Sequence, residues 1–337
     1  MYRVLVGMYR SMFQTIFDEK DIARLNGKVE IIPENPQESL PEQMSLDWIK
    51  ENIDDAEILI TGWGTPGKIG AELLDKAKNL KLIVHSAGSI KYLISDDFFG
   101  KGVRICNTRS ALALGVAETT LAMLIASLKL FMPCADEIRK GNWRVPKLIH
   151  DILELYGITV GVVAMSEVGK HLLRLLEPFE VRKIVYDPYA DKQVIEDFGA
   201  EKVELDELCR LSDAIAICAP STPQTRGMFS REQFAMMKPS VRIINTARGA
   251  LIDEAALIEN LKEGRFYALL DVTEPEPPAK DSPLRKLPNC HLLPHIAGHL
   301  NNGCKRQGRL AVDEIIRFVE TGQLEWEVTS EAISRMA

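Results

Sequence analysis

Three side chains of unlike chemistry stand at equivalent places in the second half of the chain. Arg248 lies in Asn245-Thr-Ala-Arg-Gly, Glu276 in Asp271-Val-Thr-Glu-Pro-Glu-Pro, and His295 in Leu293-Pro-His-Ile-Ala-Gly. Each follows a short apolar run, so each falls at the carboxyl end of a predicted strand. In open α/β sheets, ligands bind outside that edge. A guanidinium clamps a carboxylate through parallel N–H donors. An imidazole gives or takes a proton near neutrality, and a carboxylate beside an imidazole orients the ring and favours its protonated form. Together the three describe proton-coupled chemistry on a small anionic keto or hydroxy acid. Any one alone reads as a surface ion pair; their coincidence at three equivalent edges favours the functional reading.

A second constellation lies upstream. Ile158-Thr-Val-Gly-Val-Val-Ala-Met-Ser-Glu-Val-Gly169 runs from a predicted strand into a predicted helix, where a dinucleotide fingerprint G-x-G-x-x-G belongs. Its three glycine positions are held by Ala164, Ser166 and Gly169. The helix start offers backbone N–H groups at Glu167 and Val168 to a phosphate. Asp187 ends the next predicted strand, 18 residues beyond Gly169, where an acid binds the ribose hydroxyls of NAD and repels the extra phosphate of NADP. Against this, the Ser166 CH₂OH group stands where pyrophosphate should pass, unless its hydroxyl donates to a phosphate oxygen. Glu167 adds negative charge. Cofactor binding and a degenerate nucleotide loop are both open from this motif alone.

The remaining candidates carry less. His291, His295 and His299 share a four-residue spacing, but Pro294 argues against a helix, and on a strand such residues stand about 13 Å apart. No metal site is expected. His85 and His171 read as structural. Trp63 in Gly-Trp-Gly either walls a pocket or packs at a loop.

These residues must be positioned by an alternation of short β-branched runs and helical stretches, which argues for parallel sheets built from βαβ units. Strands are predicted at 2–6, 29–32, 57–61, 82–85 and 103–106, with helices at 40–51 and 69–78. A long apolar helix is predicted from about Ala113 to Arg139, followed by a connector from Pro146 to Leu153. Further strands are predicted at 158–163, 183–186, 214–218, 241–245, 268–272 and 291–293, and a last helix at about 302–321. Pro277 and Pro278 make 274–278 a loop. Whether the last helix packs on the first half or the second is open.

The 337 residues suggest about two domains. A composition of 46% hydrophobic and 26% charged residues is ordinary for globular chains. The net charge of −7, with no basic block longer than two residues, argues against nucleic acid as a partner. The uncharged run Thr119–Leu128 is ten residues long, short of the roughly 20 a membrane span needs. No signal peptide is seen, and six scattered cysteines without a CxxC pair read as reduced thiols. A soluble cytoplasmic protein with no membrane partner is expected.

The chain resembles the D-isomer-specific 2-hydroxyacid dehydrogenase family over nearly its whole length. The resemblance is carried by Gly62-Trp-Gly-Thr, His85-Ser-Ala-Gly-Ser-Ile-Lys, Val116-Ala-Glu, Tyr186-Asp-Pro-Tyr, Cys218-Ala-Pro-Ser-Thr-Pro-Gln-Thr-Arg-Gly, Ile244-Asn-Thr-Ala-Arg-Gly-Ala-Leu-Ile-Asp, Asp271-Val-x-x-x-Glu-Pro and Pro294-His-Ile-Ala-Gly. It implies an α/β fold of two doubly wound parallel-sheet domains, Rossmann-like and flavodoxin-like. A substrate domain of residues 1–112 plus 299–337 would hold an inserted NAD-binding domain of residues 113–298, the whole forming a homodimer through the NAD domain and the long helix. It implies NAD-dependent hydride transfer to or from a 2-keto or 2-hydroxy acid. His295 would be the general acid/base with Glu276 as its partner, and Arg248 the carboxylate clamp. Backbone amides around Ala87, Gly88 and Ser89 would also grip the carboxylate. Asp271 would face the nicotinamide amide and Asp187 the adenosine ribose. Ala117, Ala219, Thr246 and Gly298 would line the cofactor with Ser166, Glu167 and Val168. The chain departs from the family pattern at Ala164 and Ser166, at Ala-Gly-Ser in the carboxylate loop, and at His299, which could narrow the active-site mouth. The alternative to the enzyme is a weakly catalytic or non-catalytic binding protein on the same fold.

Overall fold

A computed structural model of the chain describes residues 1–145, 148–298 and 301–333. It divides into two units, Met1–Leu112 with His299–Met336, and Ala113–Gly298 with Ala337. The fold is α/β, each unit being built on one parallel sheet.

The first unit contains β1 (Tyr2–Val6), β2 (Val29–Ile32), β3 (Ile58–Thr61), β4 (Leu82–His85) and β5 (Arg104–Asn107), in the order β2-β1-β3-β4-β5. Strand residues alternate between two cores. Val4, Val6, Ile58, Ile60, Leu82 and Val84 enter one, and Leu5, Leu59 and Ile83 enter the other. A parallel sheet covered on both faces requires such runs without polar interruption. The helix Asn301–Thr321 returns to this sheet, burying Cys304, Ala311, Val312, Ile315 and Phe318 in the core that holds Val4 and Val6. A Cβ at Gly308 would stand 2.2 Å from the Ile16 carbonyl oxygen, so only glycine lets that helix approach so closely.

The second unit contains β6 (Tyr156–Val163), β7 (Glu180–Tyr186), β8 (Glu201–Lys202), β9 (Ala214–Ile217), β10 (Val241–Asn245), β11 (Phe266–Leu270) and β12 (Cys290–Leu292), in the order β12-β11-β10-β9-β6-β7-β8. Strand order therefore reverses between β6 and β9. Chain direction turns outward on both sides there, and the crevice beyond the carboxyl ends is the ligand-binding place of such sheets.

Several helix expectations are corrected. The predicted long helix is two, Arg109–Leu128 and Phe131–Arg139, separated by Leu130 at φ 49°. Pro133 explains the break: it has no N–H for the carbonyl four residues back, and its ring clashes there. The helix predicted at 40–51 is Leu46–Asn52. Leu40 precedes Pro41 and is driven to an extended conformation, and the Ser45 hydroxyl caps the helix by accepting from the Trp48 N–H at 3.1 Å. The helix predicted at 69–78 is shorter, Ala71–Lys76. At 20 residues, Arg109–Leu128 is long and apolar enough to cross a membrane by length and composition alone, unlike the ten-residue run read from sequence. Here Ala117, Met123, Leu124 and Leu128 pack into the core of the second unit, and Glu118 lies exposed at mid-helix. In the connector, Pro146 lies outside the described residues, as does His299.

Candidate active site

His295, Glu276 and Arg248 all emerge beyond the carboxyl ends of strands in the second unit. Nδ1 of His295 lies 2.6 Å from Oε1 of Glu276. A carboxylate only accepts, so Nδ1 carries the proton, and Nε2 is the position that takes or gives one. The side chains are 44% and 41% exposed, open to a ligand. His295 itself has φ 53°, a conformation that costs a non-glycine residue energy and persists only when the surroundings enforce it. Asp271 enforces it. Its carbonyl oxygen accepts from the His295 N–H at 2.9 Å, and its two carboxylate oxygens accept from the N–H groups of Ile296 and Ala297, each at 2.9 Å. The nicotinamide contact implied for Asp271 is therefore joined by a role the sequence did not suggest. This buried acid holds the loop that presents the imidazole.

Arg248 is placed by Asn245, which sequence reasoning passed over. The Asn245 amide oxygen accepts from the Ala247 N–H at 3.0 Å, and its NH₂ donates to the Arg248 carbonyl at 2.9 Å. That is a side-chain-closed turn of the kind asparagine makes. Gly249 then lies against the β11 loop, where a Cβ would stand 2.0 Å from the Thr273 carbonyl carbon. The contact brings Arg248 near Glu276. Burial pulls the guanidinium below its ordinary value, and the Glu276 charge opposes the shift. A half-buried guanidinium near the His–Glu pair is a strong donor to an anionic substrate, because fewer waters compete for it.

The phosphate loop keeps its turn without its glycines. Ala164 adopts φ 79°, the conformation glycine ordinarily supplies. Gly169 is indispensable: a Cβ there would stand 2.2 Å from the Ala164 carbonyl oxygen. The Ser166 hydroxyl is engaged within the protein. It caps the helix Glu167–Leu175 by accepting from the Gly169 N–H at 3.2 Å, and donates to the Cys218 carbonyl at 2.8 Å. That second bond spans the crevice between β6 and β9. The N–H groups of Glu167 and Val168, in the first turn, have no intrahelical acceptor, as at helix starts that bind phosphate. Glu167 is paired with Lys170 at 2.9 Å, which offsets its charge. Asp187 accepts from the Met165 N–H at 2.8 Å through one oxygen, and from the N–H groups of Tyr189 and Ala190 at 2.8 and 3.0 Å through the other. It organises the loop while one lone pair stays open to a hydroxyl. This donor set and close-packed turn fit a dinucleotide.

Ala164→Gly should relieve left-handed strain and raise the stability of the second unit by about 0.5–1 kcal/mol, after the entropy glycine adds to the unfolded chain. Ser166→Ala should lower it by about 1 kcal/mol by removing the cap. Thermal denaturation of the two variants checks both signs; a lower melting temperature for Ala164→Gly would contradict the strain.

The other cofactor positions differ in what they offer. Ala117 is fully buried and presents no surface, and Ala219 is nearly so. The Thr246 hydroxyl is 2.7 Å from that of Thr120, which in turn donates to the Val116 carbonyl. Gly298 packs toward Val116, where a Cβ would stand 3.2 Å from a methyl group. Among the described residues, no group of three His, Cys, Asp or Glu side chains converges as metal ligands do.

In the first unit, the loop after β4 turns its carbonyls inward. Ala87 C=O accepts from the Thr108 N–H at 3.2 Å, and Gly88 C=O accepts from the Asn107 NH₂ at 2.7 Å. Ala87 N–H is itself used, donating to the His85 carbonyl at 2.8 Å. This removes it from the expected set of anion donors. Gly88 and Ser89 are partly exposed, and their N–H groups have no hydrogen-bond acceptor among the described residues. Of the three amides expected to grip a carboxylate, these two remain available as donors.

A crevice at the switch point and an edge carrying Arg248, Glu276 and His295 thus lie at the carboxyl ends of the strands of one parallel sheet. The profile of "D-isomer specific 2-hydroxyacid dehydrogenase, NAD binding domain" matches residues 121–297. The chain is 34% identical over 289 residues to D-3-phosphoglycerate dehydrogenase of Methanocaldococcus jannaschii, covering 85% of this chain and 54% of that protein. It is 31% identical over 279 residues to hydroxypyruvate reductase of Thermotoga maritima, covering 82% and 89%. It spans about half the length of the phosphoglycerate dehydrogenases it matches. Apo D-mandelate dehydrogenase of Rhodotorula graminis superposes with a TM-score of 0.82 at 24% identity, covering 98% of each chain, a likeness of fold. The chain belongs to the D-isomer specific 2-hydroxyacid dehydrogenase family.

Proposed function

We propose that the chain is an NAD-dependent dehydrogenase that moves a hydride between NAD(H) and a 2-keto or 2-hydroxy acid. The observation that carries the reading is the 2.6 Å His295–Glu276 pair, open to solvent beyond the strand ends. When bound, the nicotinamide supplies or accepts the hydride at the substrate's C2. His295 Nε2 gives its proton to the carbonyl oxygen during reduction and recovers it in the reverse direction, while Glu276 holds Nδ1–H and fixes the ring. Arg248 holds the substrate carboxylate and polarises the carbonyl. Gly88 and Ser89 supply further carboxylate donors.

NAD is preferred over NADP because the fixed Asp187 charge repels a 2′-phosphate. A homodimer is supported by the helix Phe131–Arg139, which buries none of its residues in the chain. Phe131 and Ile138, two turns apart on one face, are exposed, as is Trp143. A cytoplasmic location is supported by six free cysteines, five of them buried. Neither nucleic acid nor a membrane is a proposed partner. The alternative, a non-catalytic protein on this fold, rests on Ala164 and Ser166 in the phosphate loop. Reduction of a panel of 2-keto acids followed by NADH absorbance tests the reading; no turnover of any of them would remove it.

A further inference from the structure

Beside Asp187 the second sheet carries another acid. β7 and β8 pair in parallel, with Ile184 opposite Glu201 and Val185 opposite Lys202. The ladder runs on past β8, because the Val203 N–H donates to the Val185 carbonyl at 2.9 Å. Tyr186 and Val203, next in register, both pack into the core that holds Ile184. One residue further, the same register brings Glu204 abreast of Asp187. Neighbouring strands lie about 4.8 Å apart, so two acids stand side by side at adjacent strand ends. The Tyr186 phenol feels them both: burial raises it above its ordinary value, and the charges of Glu204 and Asp187 add to the shift.

The structure gives Glu204 no capping or pairing task. It is the N-cap of the helix Leu205–Leu211, yet its side chain accepts from no N–H there, and glutamate is not among the residues that cap well. It is exposed, and among the described residues its carboxylate has no hydrogen bond or ion pair. The Lys202 ammonium, on the same stretch, donates instead to the Ala190 carbonyl at 2.6 Å. Asp187 differs, since three backbone amides already occupy its oxygens and one lone pair is left for a ribose hydroxyl. We propose that Glu204 is a second specificity-determining residue for the cofactor, placing another negative charge beside the ribose that Asp187 holds, so that a 2′-phosphate is repelled by two carboxylates. The inference rests on the reading of Asp187 as the ribose ligand. A phosphate monoester carries about two negative charges at neutral pH, whereas the 2′-hydroxyl of NAD is neutral and meets Glu204 without repulsion.

The probes are NADH, titrated by calorimetry, and NADPH, read by its displacement of NADH. Glu204→Gln should tighten NADPH about fivefold at low salt and leave NADH unchanged. The gain should fade at about 1 M salt, where the screening length is about 3 Å. Glu204→Ser should act alike on NADPH while raising the melting temperature, because serine caps the helix. A Glu204 that serves the fold alone would move the melting temperature, or both affinities together, and leave their ratio as it was. An NADPH-to-NADH ratio unchanged in both variants overturns the inference while the NAD reading stands. Absence of NADH binding to the wild-type protein removes that reading and the inference with it.

Discussion

His295→Ala is expected to lower kcat for NADH-dependent reduction of a 2-keto acid by 10²–10⁴-fold, the contribution of a positioned general acid. NADH affinity should not change, because the phosphate loop and Asp187 lie on other strands of the sheet. Glu276→Gln should be milder in binding but still slow. A glutamine in the same place can donate to Nδ1 as well as accept, so the ring loses the fixed tautomer that puts its exchangeable proton on Nε2. Stopped-flow single-turnover kinetics separates chemistry from release. Should both variants turn over at the wild-type rate in a single turnover, the proton must come from elsewhere, and the 2.6 Å pair is a surface ion pair.

The second large effect is on stability. Arg242 is among the largest side chains without exposed surface, lying on β10, between β9 and β11. Its Nε donates to the Ser127 carbonyl at 3.2 Å, and its two terminal nitrogens donate to the carbonyls of Ser240 and Asp151. The guanidinium carbon stands 4.3 Å from the centre of the Tyr267 ring, whose hydroxyl reaches the Asp151 carboxylate at 3.3 Å. Burial lowers its proton affinity, and the nearby Tyr267 and Asp151 oppose the shift. One fork thus serves the end of the helix Arg109–Leu128, the entry to β10 and the connector before β6. Arg242→Ala would take the side-chain donor from the Ser240 and Asp151 carbonyls, leave the Ser127 carbonyl only the Leu130 N–H at 3.3 Å, and open a cavity. The expected cost is about 4 kcal/mol, lowering the melting temperature by on the order of 10 °C. Arg242→Lys should fall between, since an ammonium cannot span the three carbonyls as a planar fork does. Denaturant titration measures it; a loss under about 1 kcal/mol for the alanine variant would show that the carbonyls find water instead.

Much of this was legible in the sequence. β3, β4, β9 and β10 are buried along their length, and an apolar β-branched run has few other ways to be satisfied. The edges carrying Arg248, Glu276 and His295 followed from those strands. What was hidden falls into two kinds. Some elements lack periodicity: β8 is only two residues long, and the start of β7 is masked by Arg182 and Lys183. The helix break at Leu130 had a visible cause in Pro133, overridden by the apolar stripe around it. The other kind concerns acceptors. An aspartate's position shows that it can bind something, not what. Asp187 and Asp271 were read as cofactor contacts, yet their oxygens also hold the backbone amides of 165, 189 and 190, and of 296 and 297. Ser166 was read either as an obstacle or as a donor to phosphate, and its hydroxyl donates instead to the Cys218 carbonyl.

The central claim stands or falls on the nucleotide. Calorimetric titration of the purified protein with NADH, without substrate, tests it most directly. Micromolar binding, weakened when NADPH replaces NADH, is the predicted result, because the Ala164 turn, the Glu167 and Val168 amides and the fixed Asp187 are all in place. Absence of heat at millimolar NADH would contradict it and make this chain a non-catalytic member of its family, despite Arg248, Glu276 and His295.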